Sequence, residues 1–308
     1  MMNFKCFRTA SFAALAFASV SAHAEKIWAI TPSDQQLLSF DSTNPTGFVA
    51  GPALTGVLAG HTVRGIDFRP STGQLYAVSN VAGDTGNIQL YTVNLATGAL
   101  TTVGSTIAIT SSNTRISLDF DPVNDVLRAV SGAGANVRID PNTGTLLGQD
   151  ANLAWAAGEP AVGTPFLTDI AYTNNFVGAT DTTLFAYDFL TERVATIGTL
   201  GGAESPNTGL LHNVGPSGVE PGDAGGGLDI SGKTGIAYFC TDDFPGSTFP
   251  KAELFSVNLD TGDLTQIGND DFANVLDISV EIQAVPEPAT MAALGLGTLA
   301  LIRRKRKK

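Results

Sequence analysis

Five aspartates recur along this 308-residue chain, one per repeat: Asp67, Asp119, Asp169, Asp229 and Asp277, spaced 52, 50, 60 and 48 residues apart. Carboxylates gathered this way do one of two kinds of chemistry. Converging on an axis, they offer oxygen ligands to a hard cation such as Ca²⁺, which takes about six to eight. Turned aside, each accepts hydrogen bonds from backbone amides. The repetition favours the second use, because one ion cannot employ five equivalent positions in a wide channel. The adjacent pairs Asp242-Asp243 and Asp270-Asp271 lack the D-x-D-x-D-G spacing of a dedicated calcium loop and read as solvated turns.

Other reactive side chains are sparse. His212 shares the Gly- and Pro-rich stretch 201–224 with Glu204, Glu220 and Asp223, a weak ligand set in what reads as an insertion between repeats. Trp28, Trp155, Tyr76, Tyr91, Phe185 and Tyr187 would form a sugar-stacking surface if exposed, but they sit inside strand-like runs and are expected to pack. Arg64, Arg115, Arg128 and Arg138 cluster in two repeats and are expected to pair with the aspartates. Cys240, in the run Ala237-Tyr238-Phe239-Cys240, reads as a small buried hydrophobe. No G-x-S-x-G elbow stands in a strand–turn–helix setting, and no H-E-x-x-H or paired-cysteine motif occurs. The glycines at 225–227 open a strand rather than a helix, so they are no phosphate loop.

The elements that would position these groups are short strands. VRGIDFRPSTGQLYAVSN with IQLYTVNLATGALTTVG makes one unit at 63–104. Further units run through 114–148, 166–198 and 225–268, the third taking FVGAT at 176–180 as a strand. Each unit has four β-branched or aromatic runs parted by turn residues. The turns at 94–98, 140–144 and 258–262 end in Gly, which takes positive φ freely. The matching turn at 188–192 ends in Glu192 and must differ or carry strain. Four-stranded repeats of this length imply an all-β β-propeller, since a lone blade cannot cover both faces. Residues 26–54 supply only three strands, and 274–283 supply one. Ring closure reconciles them: five four-stranded blades, with the C-terminal strand completing the first. An open β-solenoid or sandwich is the rival architecture.

The repeat wording carries a resemblance. GIDFRPSTGQLYAVS at 65–79, LDFDPVNDVLRAVSGAGANVRIDPNTG at 118–144 and TDIAYTNN at 168–175 resemble an uncharacterised bacterial secreted family, domain of unknown function 4394. The resemblance implies a propeller-like fold and supplies no activity or catalytic residue.

Both chain ends read as addresses. Lys5 and Arg8, the apolar stretch 9–20 and Ala22-His23-Ala24 form a secretory signal peptide over 1–24, cut after Ala24 by signal peptidase. A propeller domain then spans 25–284. The segment 285–308 holds Pro286-Glu287-Pro288, an uncharged run at 289–302 and six terminal cations. As a helix the run reaches roughly 21 Å, short of a ~30 Å hydrocarbon core but extended by its snorkelling Arg303 and Arg304. This resembles the PEP-CTERM tail of exported proteins, which implies an exosortase as processing partner and a destination in the cell envelope or extracellular matrix. Membrane contact is then confined to the unprocessed tail.

Residues 25–302 carry 9 cations against 29 anions, a net charge of −20. That excludes nucleic acid as a partner. The expectation is a non-enzymatic binding or structural module, without cofactor or bound metal, meeting matrix polysaccharide or protein. The alternative is a metal-assisted hydrolase or lyase with Ca²⁺ at the aspartate ring.

Overall fold

The computed structural model describes residues 24–81, 86–109, 115–161, 163–218, 226–241, 252–272 and 274–282. Strands β1 (Lys26–Ile30), β2 (Gln36–Asp41) and β3 (Asn44–Ala53) open the chain. Blade 2 follows with β4 (His61–Arg69), β5 (Gln74–Val81), β6 (Asn87–Val93) and β7 (Leu100–Ala108). Blade 3 has β8 (Ile116–Asp121), β9 (Val126–Ser131), β10 (Asn136–Ile139) and β11 (Leu146–Gln149). Blade 4 has β12 (Ala154–Trp155), β13 (Leu167–Tyr172), β14 (Leu184–Asp188), β15 (Arg193–Ile197) and β16 (Leu210–Pro216). Blade 5 has β17 (Leu228–Ile230), β18 (Ala237–Cys240), β19 (Ala252–Val257) and β20 (Leu264–Phe272), and β21 (Asp277–Val280) ends the described chain.

Strand β21 pairs antiparallel with β1, Ile27 opposite Val280 and Ile30 opposite Asp277, so the chain's two ends build blade 1 together. The innermost strands β21, β4, β8, β13 and β17 contact one another in that cyclic order. The result is a five-bladed β-propeller closed by its last strand.

Burial falls from the axis outward. All six residues of β13 are buried, because an innermost strand has a neighbouring blade on each side. The outer strand β3 keeps most of its residues in solvent. Five apolar clusters fill the wedges between blades, typified by the edge-to-face pair Tyr76–Phe120 between blades 2 and 3, with ring centroids 5.1 Å apart. Adjacent blades also touch through their outer turns. Gly98 has φ +70, and a Cβ there would lie 2.2 Å from the Ala53 carbonyl oxygen, so conformation and space both demand glycine.

Blade 4 departs from the repeat. Residues 173–183 form a long turn, not the strand expected at 176–180, and Phe176 and Val177 are exposed. The lost strand is replaced from the stretch expected to be irregular: Leu210–Pro216 pairs with β15, and β12 adds a fifth, parallel strand. The segment TNNFVGATDTT has only one apolar pair, whereas LLHNV can place Leu211 in the core. The sequence match of 188–192 to the other outer turns is therefore offset by one strand. Glu192 stands at φ +52, as its place in a glycine position foretold.

Candidate functional site

The five recurrent aspartates are all buried, one on each innermost strand. Each carboxylate accepts a hydrogen bond from a backbone N–H on or beside the innermost strand of the next blade. Asp277 accepts from Ile66 at 2.7 Å and Asp67 from Phe120 at 2.9 Å. Asp119 accepts from Tyr172 at 3.2 Å, Asp169 from Gly227, and Asp229 from Val280 at 2.6 Å. The bonds circle the ring once and close it. Ser279 joins the same girdle, donating to Asp67 at 2.9 Å while accepting from the Phe68 N–H at 3.1 Å.

Burial is the chief cause that lifts every one of these carboxyls above the ordinary aspartate range. Asp169 and Asp229 rise to about 6. Asp67, Asp119 and Asp277 are pushed well up, and neighbouring ring carboxylates add to the rise in all three. One oxygen each from Asp67, Asp119 and Asp229 lies within 4.8 Å of the others, a spacing a cation could bridge. The Oδ2 of Asp169 has no hydrogen-bond partner. The ring's oxygens are otherwise largely committed to amides, which suits a scaffold first.

The arginines do not form the expected pairs with this ring. Arg128 and Arg138 share Asp150, at 3.0 and 2.8 Å, and Arg64 donates to Asn80 at 2.7 Å. Arg115 alone acts on a ring member, its charge easing the rise at Asp169. The aromatic candidates Trp28, Trp155, Tyr76, Tyr91, Phe185 and Tyr187 are buried between blades and offer no stacking surface. Cys240 is buried in β18.

His212 lies in β16, and its ring nitrogens meet Glu159 at 3.2 Å and Glu204 at 2.6 Å. Sequence spacing had not linked Glu159, which comes from the connection preceding β13. His212 is thus held through both ring nitrogens by carboxylates at the surface. Asp270 and Asp271 fall in β20, not in a turn. Ala22, Glu220, Asp223, Asp242, Asp243 and the sorting residues Pro286, Glu287 and Pro288 lie outside the described residues, whereas Ala24 is exposed at their start. Among the described residues no helix is long and apolar enough to cross a membrane, and the run 289–302 lies outside them.

Sequence reasoning missed a cavity of about 570 Å³ between blades 3 and 4. Asp121, Asn124, Arg138 and Asp181 line it, with the turn 199–207 as one wall. The signal was present in the two long connections of blade 4, but only the topology brings them together.

The fold and its ends have relatives. The family model for a domain of unknown function (DUF4394) matches residues 36–279, and a PEP-CTERM protein-sorting motif matches 284–307. No curated protein matches the chain. Among solved structures, Myxococcus xanthus glutaminyl cyclase is 15% identical at a TM-score of 0.44, covering 78% of this chain and 87% of its own. The Pseudomonas aeruginosa periplasmic gluconolactonase is 15% identical at 0.42, over 82% and 69%. A putative 6-phosphogluconolactonase from Bacteroides uniformis is 12% identical at 0.42, over 82% and 84%. The chain belongs to the DUF4394 family and carries the sorting motif of an exosortase-processed, exported protein.

Proposed function

We propose that this DUF4394 member is a non-enzymatic propeller, exported and sorted to the cell envelope or matrix, where it contacts matrix polysaccharide. The observation that supports this reading is the commitment of the axial carboxylates to inter-blade amides. The position where a propeller would gather catalytic acids is used here to hold the ring shut. The net charge of −20 over 25–302 keeps such a protein soluble and away from anionic lipid and nucleic acid.

Two assays on the exported protein test it. The protein is expected to co-sediment with the polysaccharide fraction of its own matrix and to turn over no lactone, glycoside or phosphoester. Deleting Pro286-Glu287-Pro288 is expected to change where the protein accumulates. Turnover of a lactone or glycan that disappears in Asp67→Asn would overturn the non-enzymatic reading in favour of metal-assisted hydrolysis. Unchanged localisation without the three residues would overturn the sorting claim.

A further inference from the structure

The wedge between blades 3 and 4 breaks the pattern of the ring. Opposite the ring aspartate, the second strand carries Tyr76 in blade 2, Tyr187 in blade 4, Tyr238 in blade 5 and the apolar Ile30 in blade 1. In blade 3 the residue opposite Asp119 is Arg128. Its wedge correspondingly takes only Val130 from blade 3 into the apolar cluster, with Trp155 of β12 and the connection residues Leu153 and Ala161 filling in. The rest of the interface opens into the 570 Å³ cavity, within the roughly 300–1,000 Å³ of ligand pockets.

Blade 4 supplies the walls with two extended turns. Its first turn covers 173–183, against 70–73 and 122–125 in blades 2 and 3. Its last covers 198–209, against 94–99, 140–145 and 258–263 elsewhere. Both lie on the same face of the disc, and both line this cavity. Loops enlarged on a rigid frame and converging on one concavity are the usual construction of a binding site.

The walls are held in advance of any ligand. Arg128, buried, donates to Asn207 at 2.6 Å, to Asn136 at 2.5 Å, to Tyr172 at 2.8 Å and to Asp150 at 3.0 Å. Asn136 donates to the Pro206 carbonyl at 2.9 Å, and the Thr183 hydroxyl accepts from the Gly201 N–H at 2.8 Å. Thus the long outer turn is fixed to blade 3 on one side and to its own first turn on the other. A site whose loops need no ordering binds with less entropic loss.

The lining decides the ligand. Carboxylates at Asp121 and Asp181, the amide of Asn124 and the guanidinium of Arg138 offer acceptors and donors at close quarters. Val126, Leu184 and Ile197 add apolar patches among them. Arg138 and Arg128 share Asp150, and the lining carboxylates Asp121 and Asp181 offset the remaining charge, so the cavity has no surplus cation for a phosphate or sulfate. A neutral molecule with many hydroxyls and apolar C–H faces satisfies both kinds of wall.

We infer that the cavity between blades 3 and 4 is a carbohydrate-binding site taking one or two neutral sugar units. This deepens the proposed contact with matrix polysaccharide and rests on that reading. The test uses the exported protein with D-glucose, D-galactose, N-acetylglucosamine and cellobiose as probes, by titration calorimetry and saturation-transfer NMR. At least one probe is expected to saturate the protein. Asp181→Asn and Asn124→Ala, both on exposed turns, are expected to weaken it about tenfold or more without moving the thermal midpoint. Saturation by none of the four, or affinity unchanged in both variants, overturns the site. Matrix polysaccharide binding that persists in both variants overturns the cavity and leaves the proposed function standing. Turnover of a bound probe does the reverse.

Discussion

The carboxylate ring makes an unusual demand on pH. An aspartate in the unfolded chain titrates near 3.8, whereas Asp169 and Asp229 titrate at about 6 in the fold. The folded state holds these protons more tightly. Their contribution is therefore fully present below pH 3.8 and is lost as pH rises through about 6. The full titration of each group is worth about 3 kcal/mol, and the span from pH 5.0 to 7.5 takes in roughly half of it. Asp67, Asp119 and Asp277 push the same way. Asp125, beside Arg69, and Asp140, bonded to the Asn142 N–H, have lowered values and so lose stability as pH falls below 3.8. Stability is thus greatest near pH 4 to 5 and declines by about 3 kcal/mol or more by pH 7.5. Urea unfolding at fixed ionic strength, with EDTA present, measures this directly. Asp229→Asn removes one titration and flattens the decline by roughly 1 kcal/mol. A wild-type stability that is flat or rising from pH 5.0 to 7.5, or a variant with an unchanged slope, would refute the argument.

Two further outcomes follow from the same contacts. With the ring serving as scaffold, millimolar Ca²⁺ added after EDTA leaves the thermal midpoint of the exported protein unchanged. A rise of several degrees that is abolished by Asp67→Asn would instead make the three converging carboxylates an ion site, since a ligand of the native state raises the midpoint by mass action. Arg128→Leu strands Asn207 and Asn136 and leaves buried Asp150 with Arg138 alone, so it destabilises by about 3–5 kcal/mol in urea unfolding; a loss under about 1 kcal/mol would show that the cluster is not cooperative.

Much of the architecture was legible because the repeat grammar is local. Asn94 through Gly98 and Asn258 through Gly262 announce hairpin turns by residue type alone, and the recurrent aspartates mark the innermost strands. Even the closure was readable, since three strands at one end and one at the other complete a blade. Blade 4 resisted because its turn 188–192 resembles the outer turns of other blades while occupying an inner position. Short apolar runs carry no label for their place in a blade. The arginines resisted for another reason. Arg128 sits directly opposite Asp119, yet its guanidinium turns toward blade 4, where Tyr172 and Asn207, with Asp150 just after β11, offer more acceptors than the amide-bound carboxylate. Choices between partners so far apart in sequence depend on the packed blades.

The two chain ends bear on the cavity. Glu281 accepts from the Trp28 indole at 2.7 Å and pairs with Lys26 at 3.2 Å, so the described chain enters and leaves blade 1 side by side. The N-terminal strand is further tied to blade 5, where the buried Glu25 carboxylate accepts from Thr234 and Tyr238, each at 2.9 Å. Residue 282 follows β21 on the face where the other innermost strands end at Asp121, Tyr172 and Ile230. That face carries the turns 122–125, 173–183 and 198–209, and hence the cavity. The propeller thus places the end of β21 and the cavity between blades 3 and 4 on one face, while the axis is taken up with keeping the ring closed.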